Sequence, residues 1–217
     1  MISVLEVAIK ATCSHNMIYK ATKGEYVEAI LRSQKTIFTL KDVALIWRES
    51  NADVIKKRLS KYVKEGNIIR IRRGIYAKDK NYNHYELATH ILTPAYVSFE
   101  TVLTQQGVNF QLYKSIMVAS YVNRTLVIDK QKYQYTRMKD YVLTETKGIM
   151  DIDGVTTATV ERALLDSIYI NKKHYMDNSA IINWQKVFEI LPIYNNKRME
   201  KVVDVYYKEF VNKINNK

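Results

Sequence analysis

Between Lys56 and Arg73 the chain carries cations on two different periods. Lys56, Lys57, Ser60, Lys61 and Lys64 recur at spacings that share one side of a helix, and Arg70, Arg72 and Arg73 follow among alternating isoleucines. Ammonium and guanidinium groups on two adjacent elements are suited to replacing the counterions of a polyanion, with Arg adding paired hydrogen bonds to phosphate. For any single lysine, a solvated helix face is the simpler reading. A cationic helix, a glycine stop at Gly66 and an Arg-studded ribbon in succession favour the polyanion.

Other chemistries find little support. His15, His84, His90 and His174 are the only histidines, and their spacing is not that of metal ligands. Cys13 is the sole cysteine, so no intrachain disulfide or multi-cysteine metal site can form. Asp151 and Asp153 in "DIDG" offer two carboxylates for Mg²⁺, but no Gly-Ser phosphate-binding turn precedes them, and the stretch reads as a turn. Six scattered glycines make neither a P-loop nor a dinucleotide fingerprint. The 17 tyrosines can stack on bases, yet most fall at core spacing and read as packing. No catalytic residue, metal site or cofactor is therefore assigned.

Composition points the same way. The 217 residues are 47% hydrophobic and 26% charged, as in a globular protein with room for one large or two small domains. Of the net charge of +12, residues 1–80 contribute +9 and residues 81–217 only +3. A polyanion partner for the first part follows. "MISVLEVAIKATCSHNM" is a poor signal peptide and no run approaches a membrane span, so a cytoplasmic protein is expected.

The elements that would hold these cations can be read in order. Residues 1–24 form an expected helical extension of unassigned role. "EYVEAILRSQ" puts Tyr26, Val27, Ile30 and Leu31 on one helical face, and "KTIFTL" is extended. Thr39 caps a second helix with Leu40, Val43, Ala44 and Trp47 inward. Ser50 or Asn51 caps a third, from about Ala52 to Glu65, whose buried stripe is Ile55, Leu59 and Tyr62. The ribbon turns at Arg73-Gly74, with Ile69, Ile71 and Ile75 expected on one side and Arg70 and Arg72 on the other. Three helices followed by a ribbon have the order of a winged helix-turn-helix. In that arrangement the third helix enters the major groove and the ribbon lies on phosphates or the minor groove. The expected DNA-binding residues are Ser50, Asn51, Lys56, Lys57, Ser60, Lys61, Arg70, Arg72 and Arg73.

The remainder reads as mixed. Ser98 is placed to cap "FETVLTQQ" before Gly107. "SIMVASYV", "RTLVIDK" and "KYQYTRM" read as strands, with "VNR" a turn between the first two. Thr159 caps a helix to about Ile170 in which Arg162 and Asp166 pair one turn apart. Two helices, "AIINWQKVFEI" and "NKRMEKVVDVYYKEFVNKI", follow around "LPIYNN". The expected fold class is α+β: a winged helix-turn-helix over residues 1–80, then a mixed α/β domain over 81–217 with a small antiparallel sheet and C-terminal helices.

Three stretches together resemble one family. "YVKEGNIIRIRRGIYAK", "PAYVSFETVLTQQGV" and "TTATVERALLDSIYI" are similar, in order, to segments of the AbiEi-type antitoxins of abortive-infection type IV toxin–antitoxin systems. The last carries Thr159, Glu161, Arg162, Leu164 and Asp166 of a Thr-x-Glu-Arg-x-Leu-x-Asp helix, and Val160 stands where proline is common. The resemblance spans roughly residues 25 to 170. It implies a repressor that binds inverted repeats in its own operator on double-stranded DNA. It also implies a C-terminal antitoxin domain that counters a nucleotidyltransferase-like toxin, with no stable complex required. Two alternatives stay open: a stand-alone winged-helix transcription factor whose C-terminal domain senses a ligand or partner, and a metal-dependent nucleic-acid-processing enzyme using Asp151 and Asp153. The oligomeric state is left open.

Overall fold

The computed structural model of the chain describes residues 24–171 and 175–215. Cys13, His15, His174 and the expected extension before Gly24 lie outside them. The described residues form an α+β structure: helices with a three-stranded antiparallel sheet, then a mixed six-stranded sheet and further helices.

The first part contains α1 (Glu25–Arg32), β1 (Ile37–Thr39), α2 (Leu40–Trp47), α3 (Ala52–Lys64), β2 (Ile69–Arg72) and β3 (Ile75–Ala77), with sheet order β1-β3-β2. Local chemistry sets the boundaries. Thr39 and Asp42 cap α2 reciprocally: the Thr39 hydroxyl accepts from the Asp42 amide, and Asp42 accepts from the Thr39 amide at 2.8 Å. Of the two expected caps of α3 it is Asn51 that acts, its side-chain oxygen accepting from the amides of Asp53 and Val54. Gly66, at φ +75°, follows the C-cap Glu65 and turns the chain away. Ile55, Leu59 and Tyr62 of α3 pack with Tyr26, Ile30, Val43, Trp47 and Tyr76 in a small core. Trp47 is fixed there by its indole N–H, which donates to the Tyr26 carbonyl at 2.7 Å.

The second part runs α4 (His84–Ile91), β4 (Ala95–Val97), α5 (Phe99–Gln105), β5 (Ser115–Ser120), β6 (Arg124–Ile128), β7 (Gln131–Arg137), α6 (Asp140–Leu143), β8 (Ile149–Ile152), β9 (Val155–Ala158), α7 (Val160–Ile170), α8 (Trp184–Ile190) and α9 (Lys197–Asn215). Its sheet order is β6-β7-β5-β4-β9-β8, with β5/β7 and β4/β9 parallel. The small antiparallel sheet expected from sequence is thus corrected to a larger mixed one. The reason is local. β6 pairs with β7, through an Asp129-Lys130 turn whose residues both have positive φ, and β7 returns parallel to β5. "VNR" therefore joins strands that do not pair with each other. Asp153 and Gly154, both at positive φ, turn β8 into β9, and the Asp151 carboxylate accepts from the Gly154 amide, so Asp151 by its side chain and Asp153 by its backbone shape a hairpin.

Ser98 does not cap α5 through its side chain. Its hydroxyl donates instead to Asp166 at 2.7 Å, inside a buried cluster on α7. Arg162 and Asp166 are both fully buried and lie 3.4 Å apart. The guanidinium also donates to the Lys147 and Val142 carbonyls at 2.9 and 2.6 Å and to the Tyr96 hydroxyl at 3.2 Å. Asp166 accepts a further bond from Tyr194 at 2.6 Å. Burial pushes the Asp166 carboxyl above its ordinary value, opposed by the Arg162 charge and by the donating hydroxyls. The Thr159–Asp166 stretch is therefore a clasp that ties α7 to β4, to the segment after α6 and to the turn at Tyr194.

The three-stranded sheet belongs to both parts. Phe38 and Tyr76 point into the small core, while Ile37, Ile75 and Ala77 enter the large one. Hydrogen bonds seal the seam: the Thr36 amide and hydroxyl donate to buried Glu86 at 2.9 and 2.5 Å, and the Asn83 amide donates to the Thr36 hydroxyl at 2.9 Å. Each isoleucine buried there contributes roughly 1.5–3 kcal/mol. The seam fixes the direction in which α3 and the hairpin face.

Candidate nucleic-acid interface

α3 divides cleanly into two faces. Ile55 and Leu59 are 2% and 0% exposed, whereas Lys56, Lys57, Ser60 and Lys64 are exposed and Lys61 is half-buried. Lys56, Lys57, Ser60, Lys61 and Lys64 line one shallow groove on the outer surface. The structure thus brings together four of the expected DNA-binding residues with Lys64, which the sequence already places on the same side of the helix. Lys56 meets Asp53 at 3.2 Å and Lys61 meets Glu65 at 3.4 Å, both through solvent-exposed side chains. Such pairs are worth about 0–1 kcal/mol and exchange readily for another anion. Lys57 and Lys64 make no ion pair among the described residues.

Arg58, in the same run, turns the other way. Its guanidinium lies 4.0 Å above the Tyr26 ring and 3.7 Å from the Glu49 carboxylate, so it braces α3 against α1 and the preceding turn. Ser50 and Asn51 sit at the N-terminal end of α3. Ser50 is exposed, while the Asn51 oxygen is spent on the cap, so Asn51 positions the helix.

The hairpin follows the expected turn, and Ile69, Ile71 and Ile75 share the side of the large core as expected, but the two arginines do not share the other side. Arg73-Gly74 joins β2 to β3, with Gly74 at φ +80°. The register shifts between Arg70 and Arg72: Arg70 lies opposite Tyr76, and Arg72 lies opposite Ile75. Residues directly opposite share a face, so the bulge at Ile71 separates the two arginines. Arg70 shares the face of Tyr76, next to the small core and α3. Arg72 shares the face of Ile75, turned toward the second part. Arg73 is exposed at the tip. The expectation that Arg70 and Arg72 point the same way is overturned by that one extra residue. The doubled arginine in "IRIRRG", which breaks the alternation, is the available signal.

Electrostatics supports a stable scaffold beneath the cations. Burial acts to raise the pKa of Asp42, but hydrogen bonds from Lys35 and Thr39 and the Lys35 charge outweigh it and hold the carboxyl below its ordinary value. Tyr62, under the groove, is raised by burial against the opposing charges of Arg58 and Lys61.

Elsewhere, two histidines make contacts within the fold. His84 contacts the Tyr133 hydroxyl at 2.7 Å and His90 the Glu86 carbonyl at 2.7 Å, each through Nδ1. Among the described residues no three His, Cys, Asp or Glu side chains gather as metal ligands, and no helix is long and apolar enough to cross a membrane. A half-open cleft of about 420 Å³ lies between the β8–β9 hairpin, α5 and the start of α7, with Met150, Val155, Thr157, Glu161 and Lys186 in its wall. The residues that sequence reasoning misses are those of the seam: Glu86, because it assigns no element to α4, and Thr36, because its partner lies 50 residues away. No protein-family model and no curated protein sequence matches this chain.

Proposed function

We propose that this chain is a repressor that binds double-stranded DNA through a winged helix-turn-helix within residues 1–80. The observation that carries the reading is the two-faced α3: a buried Ile55–Leu59–Tyr62 stripe on one side, and a continuous groove of Lys56, Lys57, Ser60, Lys61 and Lys64 on the other. A major groove admits a helix of this kind, so the groove residues would face base edges. Arg70 and Arg73 on the adjacent hairpin would meet the flanking phosphates.

Resemblance to the AbiEi-type antitoxins extends the proposal. On that reading the chain represses its own operon, and the part over residues 81–217 counters a nucleotidyltransferase-like toxin encoded beside it. The alternative, a regulator that senses a small ligand, is favoured by one observation: the cleft beside β8 and β9 has the volume of a ligand site.

Equilibrium titration of the full chain on a duplex from upstream of its own gene, and on a scrambled duplex, tests the core of the proposal. Binding should weaken steeply with salt and be tighter on the upstream sequence. Equal affinity for both duplexes would remove the repressor; no salt dependence would remove the interface. Co-expression with the neighbouring gene product, scored by growth rescue, separates antitoxin from ligand sensor.

A further inference from the structure

We propose that the cleft beside the β8–β9 hairpin binds a free α-amino acid with an apolar side chain, its ammonium held by Glu161 and its carboxylate by Lys186. The inference rests on the ligand-sensing reading above and gives that reading a ligand class.

Glu161 is the starting point. In the Thr-x-Glu-Arg-x-Leu-x-Asp stretch, Thr159 caps α7, Leu164 is core, and Arg162 and Asp166 form the buried clasp. Glu161 takes no part in that clasp. It is only 7% exposed, it lines the cleft, and it makes no ion pair among the described residues. The one hydrogen bond it accepts among them comes from the Asn183 amide, at 3.3 Å, and reaches Oε1. A carboxylate so buried without a counter-charge is destabilising, and a cation entering the cleft offsets that cost.

Lys186 lies in the same wall, exposed at its rim. Asn183 links the two charges: its amide donates to Glu161, and its side-chain oxygen, which caps α8, accepts from the Lys186 amide at 3.2 Å. Glu161 and Lys186 therefore share one cavity and one intermediary, yet form no ion pair with each other. The third charged residue of the wall, Asp153, is exposed at the hairpin tip, where water and salt screen it. A zwitterion satisfies carboxylate and ammonium together, each through a charge-assisted hydrogen bond, whereas a plain amine or acid leaves one of them unpaired. Val102, Met150 and Val155 supply apolar surface between α5 and the hairpin for the side chain. The volume, about 420 Å³, is that of a small-molecule site.

The test is isothermal titration calorimetry of the full chain, paired with thermal unfolding. The probes are L-leucine and L-phenylalanine, with phenethylamine and hydrocinnamate as the forms lacking the carboxylate and the ammonium. At least one amino acid should bind saturably and raise the melting temperature. Glu161→Gln, which keeps an acceptor for Asn183, and Lys186→Gln should each weaken binding roughly tenfold or more, the worth of one hydrogen bond to a charged group. The two truncated probes should be weaker by a similar factor. Should Glu161→Gln fail to fold, Lys186→Gln on the exposed rim and the truncated probes decide. Neither heat nor a melting shift with either amino acid would overturn the inference, as would amino-acid binding unchanged in both variants. Phenethylamine binding as tightly as L-phenylalanine, with Lys186→Gln inert, would mark a plain cation site and overturn it too. The sensing reading is decided separately, by the affinity of the amino-acid-bound chain for the upstream duplex: no change there removes the sensor and leaves the site.

Discussion

Replacing Arg162 with methionine should expose how much the buried clasp on α7 contributes. The side chain is fully buried, and it is the positive partner of Asp166, which is itself fully buried. Removing one member of such a pair costs about 3–5 kcal/mol, because the remaining charge has no compensation. The carbonyls of Lys147 and Val142 and the Tyr96 hydroxyl lose a donor at the same time. Each orphaned group costs about 1–3 kcal/mol, though relaxation and entering water keep the sum from being additive. A loss of about 4–5 kcal/mol is expected for Arg162→Met, a large share of the roughly 5–15 kcal/mol that holds a domain folded. Urea denaturation followed by far-UV circular dichroism measures it. The diagnostic is a change of sign. Asp166→Asn should destabilise the wild type, where it breaks the pair, and stabilise Arg162→Met, where it removes an unpaired charge. Acid should help Arg162→Met in the same way. Burial raises the Asp166 pKa above the unfolded value of 3.8 even with Arg162 opposing it, and loss of that charge raises it further, so the stability of Arg162→Met should rise as the pH is lowered toward 3.8. A cost for Arg162→Met under about 1 kcal/mol, or an equal cost of Asp166→Asn in both backgrounds, would refute the reasoning.

Further outcomes follow from the first part of the chain. Asn51→Ala should lower stability by about 1 kcal/mol by uncapping α3, and Asn51→Asp should largely retain the cap; differential scanning calorimetry resolves the two. Asp42 has a folded pKa below its unfolded 3.8, so its contribution is complete above that value and lost as the pH falls through the folded pKa. The acid limb of a pH–stability curve should therefore be shallower for Asp42→Asn. A chain cut after residue 80 exposes Ile37, Ile75 and Ala77 and lacks Glu86, so its thermal transition should be broader and lower than that of the full chain.

What can be read from sequence is whatever depends on near neighbours. The Thr39 and Thr159 caps, the Gly66 stop, the Ile55–Leu59–Tyr62 stripe and the Arg73-Gly74 turn are all decided within a few residues, and the structure has each of them. The misreadings come from long-range pairing. β4 and β9, of three and four residues, are too short to show a period, and nothing local announces that β7 will lie parallel to β5. Ser98 has a cap residue's chemistry, but Asp166, distant in sequence, takes its hydroxyl. In the candidate interface the lysines are legible because a helix repeats its faces. The arginines are not, because one bulge residue exchanges the faces of a strand.

The central claim is that α3 reads bases while the hairpin holds the backbone, and one comparison tests it most directly. Wild type, Lys57→Ala and Arg70→Ala are titrated on the upstream duplex and on its scrambled counterpart at two salt concentrations. Lys57→Ala should lose about 1–3 kcal/mol on the upstream duplex and much less on the scrambled one, narrowing the specificity ratio. Arg70→Ala should weaken both equally and flatten the salt dependence by about one contact. Affinities unchanged in both variants would mean that the cationic groove and hairpin are a solvated surface, and would contradict the account.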